Sequence, residues 1–216
     1  MVSTLGLPAV ENLWRTIHYE VTWLHGRWAI YRQLYGTTPE RVDILNRAAG
    51  TFAFMLQDVL LDDVQLGLSK LGDPPTSLGT KKNLTLSRLC NEVVATGNLT
   101  TELPPLLAAY NKACAQAKKR RNRRIAHFDL NTMLRPKASL SGPSRQEIEV
   151  ALNALRAFMN CIAVHLTGTQ TAYELVALGN DGDSLIATLK RGLRYQELVK
   201  TGAIPFDDID SAFGTL

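Results

Sequence analysis

Apolar residues recur at three- and four-residue steps through most of this 216-residue chain, and that spacing constrains its fold more than any other feature. Trp14, Ile17, Val21, Leu24, Trp28, Tyr31 and Tyr35 fall on one face of a helix from about residue 10 to 35, because a 3.6-residue period brings such positions together. Gly36 ends it. Thr38-Pro39 opens a second helix, with proline in the first turn, where the missing N–H has no partner to lose. Leu45, Ala49, Phe52, Leu56, Val59 and Leu60 carry that helix to about Leu71, and Gly72-Asp73-Pro74-Pro75 breaks it. A shorter helix is expected near 84–95, ending at Gly97, and an Ala- and Leu-rich one over roughly 101–127. Ser144-Arg145-Gln146-Glu147 has the form of a capping box ahead of the stripe Ile148, Leu152, Leu155, Met159 and Ile162. A last helix is expected at about 182–200. No alternating strand pattern, internal repeat or glycine-rich phosphate loop stands out. The expected class is all-α: an antiparallel helical bundle of four to five main helices over 10–165, with residues 166–216 as a C-terminal helical appendage and acidic tail.

Composition narrows the class further. A hydrophobic content of 45% with 20% charged residues is that of a globular chain. Three widely spaced cysteines, Cys90, Cys114 and Cys161, form no disulfide framework, which points to a reducing, cytoplasmic setting. No leader pattern follows Met1, and no run nears 18 uninterrupted apolar residues, so no membrane association is expected.

The charge is concentrated. Lys118-Lys119-Arg120-Arg121-Asn122-Arg123-Arg124 holds six cations in seven residues, and His127 lies three residues later. The chain has 24 Lys+Arg against 20 Asp+Glu; without these six it would have 18 against 20, so the pI of about 9.0 reports one patch. At 100° per residue, with Leu106 at 0°, Arg124 falls at about 0°, Arg121 at about 60° and Arg120 at about −40°, along the apolar face. Lys118, Lys119 and Asn122 turn away. No carboxylate lies between Glu102 and Asp129 to neutralise the cations within the helix. Two explanations stay open for the inward arginines: a substrate anion, or a carboxylate on a neighbouring helix, with Asp58, Asp62 and Asp63 as candidates. His127 lies about 9 Å beyond Arg121 along a regular helix and about 120° around it. The two side chains converge only if the helix ends or bends near Ile125, or if a ligand or second subunit bridges them.

Arg121-Asn122-(four residues)-His127, near the end of a helix in an all-α chain, resembles the signature of HEPN domains (higher eukaryotes and prokaryotes nucleotide-binding). The context from Arg121 to Asp129, the long Trp/Tyr helix and the stretch from Gln57 to Leu71 before Asp73-Pro74 resemble the branch related to abortive-infection AbiU-type proteins. The resemblance covers roughly 10–165. It implies a bundle of four or five helices, commonly a homodimer, and in many members a metal-independent ribonuclease acting as a toxin or antiphage effector. Arg121 and His127 match the two catalytic positions and Asn122 the polar one; no cofactor is implied. Lys118, Lys119, Arg120, Arg123 and Arg124 would track the nucleic-acid backbone. The implied partners are RNA or a nucleotide, a second copy, and an antitoxin or other neutralising protein. A non-catalytic binding or regulatory module, or a structural interaction protein, is the alternative.

Other constellations are weaker. His18 and His25 lie seven apart on one helix face with Glu20 near, whereas a helical zinc site calls for ligands four apart and partners elsewhere; packing is the preferred reading. Cys114 reads as a core thiol. Tyr19, Tyr31, Tyr35 and the three tryptophans read as core or dimer interface.

Overall fold

The computed structural model describes residues 7–77, 79–125 and 142–205, and within them the chain is all-α apart from one minimal strand pair. The helices are α1 (Leu7–Tyr31), α2 (Pro39–Leu71), α3 (Leu86–Ala95), α4 (Leu103–Ala113), α5 (Ala115–Arg120), α6 (Arg145–Thr167) and α7 (Gly182–Lys200). β1 (Thr76–Ser77) and β2 (Lys81–Lys82) pair antiparallel in the loop after α2.

Local sequence explains most of the boundaries. The Ser144 hydroxyl accepts from Glu147 N at 3.2 Å, while the Glu147 carboxylate accepts from Ser144 N at 2.7 Å, closing the capping box. Gly168 then ends α6 in the left-handed region at φ 71°, the usual helix stop. Thr85 caps α3 through Arg88 N, and the Asp181 carboxylate caps α7 through the amides of Asp183 and Ser184.

The differences from the expected helices are informative. α2 is two helices across a kink at Ala49, next to Gly50. The segment expected as one helix over 101–127 is broken at Cys114 (ψ 1°), and from Arg121 to Ile125 it widens into a π-type turn. A similar turn, Arg32–Gly36, comes after α1 and buries both Leu34 and Tyr35.

Contacts group the chain into two compact units, each assembled from two stretches: Met1–Trp28 with Leu60–Ala177, and Ala29–Val59 with Leu178–Leu216. In the first, α6 is the central helix, with Ile148, Ala151, Leu152, Leu155, Phe158, Met159, Ile162 and Ala163 buried. α6 is long and apolar enough to cross a membrane by length and composition. Its apolar stripe is buried within the fold, and two tryptophans of α1 also bond to the helix: Trp14 Nε1 donates to the Met159 carbonyl at 3.4 Å, and Trp28 Nε1 donates to Glu149 at 2.7 Å. In the second unit, Gln33 donates to Asp181 at 2.6 Å and accepts from Gly182 N at 3.0 Å, Arg41 pairs with Asp183, and Tyr35 donates to the Ala53 carbonyl at 2.8 Å.

Candidate functional site

The cation cluster meets the C-terminal end of α2, and three of its six cations are engaged there. The Lys118 ammonium donates to the Gly72 carbonyl at 2.7 Å and to Asn111 Oδ1 at 3.0 Å. Arg120 donates through Nε (3.2 Å) and Nη2 (2.8 Å) to Asp62 Oδ1. Arg121 Nη1 reaches both oxygens of Asp73 at 2.7 Å, and its Nε donates to Asn122 Oδ1 at 3.0 Å. The Arg120 and Arg121 side chains retain only 12% and 18% of their accessible surface, so these pairs are partly screened from water. Charge-assisted bonds of this kind contribute on the order of 1 kcal/mol each when half-solvated.

Both open explanations for inward arginines therefore bear on the site. The rotation that turns Arg121 and Arg120 inward agrees with their burial. A carboxylate from α2 or the loop after it does meet each of them: Asp62, one of the three candidates, takes Arg120. Asp63 instead lies 2.8 Å from Arg27, and Asp58 is exposed. Asp73, the partner of Arg121, escapes sequence reasoning, because it sits in a segment that sequence marks only as a helix break. The available signal is the position itself: a carboxylate directly after a helix C-terminus, where the macrodipole disfavours it by about 0.3–1 kcal/mol, calls for a cation.

Lys118 corrects the rotation. Regular helical phase turns it away from the fold, yet it is half-buried on Gly72. The break at Cys114 shifts the phase of the residues after it, and the four-carbon stem of lysine lets the ammonium reach a helix end from a flanking position. A Cβ on Gly72 would lie 2.7 Å from Lys118 Cε, so a larger residue there would make the lysine end shift. Lys119 and Asn122 are exposed as expected, and Arg123 is exposed as well. Lys119 and Arg123 have no ion pair or hydrogen bond to another described residue. His127 and the Arg124 side chain lie outside the described residues. From Arg121 to Ile125 the backbone takes a π-type turn, so regular α-helical phase does not hold over those five residues.

The other histidines are packing elements. His18 Nδ1 lies 2.6 Å from the Tyr173 hydroxyl and its ring stacks on Trp14; His25 Nδ1 donates to the Val21 carbonyl at 2.9 Å and its ring stacks on Tyr173. Burial lowers the pKa of both, with Arg15 adding to the effect at His18. Cys114 is fully buried, and burial pushes its thiol up to about 11, an unreactive value. Trp14, Trp28, Tyr31 and Tyr35 are core, while Tyr19 and Trp23 form an exposed edge-to-face pair on α1. Among the described residues no group of three or more His, Cys, Asp or Glu side chains is placed to hold a metal ion.

Comparison with known proteins adds one finding. The family model described as AbiU2, of the HEPN domains, matches residues 8–184, well over half of the chain. No curated protein matches, and no solved structure matches.

Proposed function

Because the chain belongs to the AbiU2 family of HEPN domains, we propose that it is a metal-independent endoribonuclease and works as a homodimer in abortive-infection or toxin–antitoxin defence. The observation that carries this reading is Arg121: a guanidinium at the family's arginine position, four-fifths buried yet holding an amino group, Nη2, without a partner among the described residues.

The chemistry rests on these residue types. The ribose 2′-oxygen attacks the adjacent phosphorus, its proton leaves, the bond from phosphorus to the 5′-oxygen breaks, and that oxygen takes a proton. The products are a 2′,3′-cyclic phosphate and a free 5′-hydroxyl. His127 moves a proton near neutral pH, which contributes on the order of 10²–10⁴-fold. Arg121 donates to the phosphorane oxygens as charge develops on them. Asn122 orients Arg121 through its Nε contact. Lys119 and Arg123, exposed beside the site, draw the RNA backbone in without reading bases. A second subunit would supply the facing copy of Arg121 and His127.

One observation favours the second reading, a non-catalytic RNA- or nucleotide-binding module: three of the six cations already have intramolecular partners. The two readings part on a labelled single-stranded RNA incubated in EDTA. The ribonuclease cleaves it and leaves cyclic-phosphate ends, and Arg121→Ala and His127→Ala each lose at least about 100-fold in rate while still folding. Cleavage that persists in both variants sinks the assignment of the site. Binding without cleavage in the unaltered protein selects the module.

A further inference from the structure

Asp73 stands where a carboxylate is electrostatically unwelcome, just past the C-terminus of α2, and the segment that carries it is held unusually firmly. The Tyr110 hydroxyl donates to the Leu68 carbonyl at 2.5 Å, Lys118 to Gly72 at 2.7 Å, Asn83 Nδ2 to Pro74 at 3.0 Å and Arg88 Nη2 to Pro75 at 2.7 Å. Asn83 N adds a second bond to the Pro75 carbonyl at 3.0 Å. Four carbonyls on either side of Asp73 are thus taken by side chains from α3, α4, α5 and the intervening loop. Two successive prolines remove backbone freedom as well. A helix stop alone needs none of this, since Asp73 N already bonds to the Lys70 carbonyl at 3.1 Å.

What this clamp holds in place is a guanidinium. Asp73 takes Arg121 Nη1 with both oxygens, Asn122 takes Nε, and Nη2 remains without a described partner. We propose that Asp73 is a positioning residue of the ribonuclease site, fixing the Arg121 fork so that Nη2 meets the scissile phosphodiester already oriented. This rests on the ribonuclease reading above. Asp73 touches neither substrate nor reacting atoms; it acts through Arg121. A preorganised donor needs no reorganisation as charge develops, whereas a free arginine must be ordered during the reaction. The same carboxylate neutralises part of the arginine's charge, so its role is orientation at some expense of affinity.

That combination separates positioning from both alternatives, a structural strut and a competing anion. The full-length Asp73→Asn and Asp73→Glu variants are compared with the unaltered chain in two assays: single-turnover cleavage of labelled RNA in EDTA, and binding of the same strand made uncleavable by 2′-deoxy substitution. Positioning lowers the cleavage rate of Asp73→Asn by roughly 10- to 100-fold while binding stays equal or tightens, and Asp73→Glu, which keeps the charge, recovers part of the rate. A strut would lower the melting temperature and leave the rate of the folded fraction unchanged. A competing anion would leave the rate equal or faster with tighter binding. Either result overturns the proposal. If Asp73→Asn does not fold, Asp73→Glu decides alone: a folded protein cleaving several-fold more slowly supports positioning, and an unchanged rate refutes it. Failure of the unaltered chain to cleave removes the ribonuclease reading and this inference with it; normal cleavage by both variants removes only the inference.

Discussion

The cation cluster should bind RNA with far fewer charges than its composition implies, and ionic strength measures how many. On single strands each phosphate contact by a cation contributes about −0.7 to the slope of log affinity against log salt. Arg120 is neutralised by Asp62, and Lys118 is committed to Gly72, whereas Lys119 and Arg123 stand exposed beside the site. Replacing Lys119 and Arg123 together with alanine should therefore make the slope shallower by about 1.4. Between about 50 and 200 mM salt that difference amounts to about sevenfold in affinity, so the defect of the double variant should shrink by that factor as salt rises. Arg120→Ala should change the slope by less than about 0.3, because its charge is already offset within the protein. The assay is fluorescence anisotropy of a labelled, uncleavable single strand at several salt concentrations. If Arg120→Ala flattens the slope as much as the double variant, Asp62 releases Arg120 on binding and the division into committed and available cations is wrong.

Packing and titration give three further outcomes. Burial holds the folded-state pKa of His18 and His25 below 6.5, so protons bind preferentially to the unfolded chain in acid: stability is fully present above pH 6.5 and falls as pH drops below it. His25→Phe, which keeps a ring against Tyr173, should flatten that acid limb in urea unfolding at pH 7.5 and 5.5; an unchanged limb refutes the linkage. Tyr110→Phe strips the buried Leu68 carbonyl of its donor and should cost about 1–2 kcal/mol by chemical denaturation. At Gly182 a Cβ would lie 2.9 Å from Gln33 Cβ and 3.2 Å from Leu34 Cγ, so Gly182→Ala should destabilise by about 1–3 kcal/mol and expose α7 to limited proteolysis.

Features of this fold are legible in the sequence where they are set locally. The capping box at Ser144, the break at Gly72-Asp73-Pro74-Pro75 and the start of α7 at Gly182 are readable, because each is fixed by residues within a turn of one another. The kink at Ala49 and the break at Cys114 are not: neither position carries proline, and the lone Gly50 beside the kink does not by itself end a helical pattern. At the site, helix rotation correctly turns Arg121 toward the fold, and family resemblance singles it out. Its partner cannot be read, since Asp73 is 48 positions away and only tertiary packing brings them together. Lys118 is misplaced for a related reason: rotation describes a uniform helix, and this one changes phase at Cys114, a full turn earlier. The grouping of 29–59 with the stretch from 178 onward is equally invisible to local pattern.

That grouping bears on how the protein is made. Residues 29–59 leave the ribosome about 120 to 150 positions ahead of Leu178, the start of the stretch with which they form a unit. At roughly 5–20 residues per second, synthesis imposes a wait of about 7–30 seconds during which Gln33 lacks Asp181 and Arg41 lacks Asp183. The first unit, by contrast, has every stretch it needs once Ala177 has emerged. Maturation is thus ordered by the direction of translation: the half that carries Arg121 and Asp73 has all its sequence before the other half does, and nascent chains stalled between these points would present residues 29–59 to chaperones and proteases without their partner stretch.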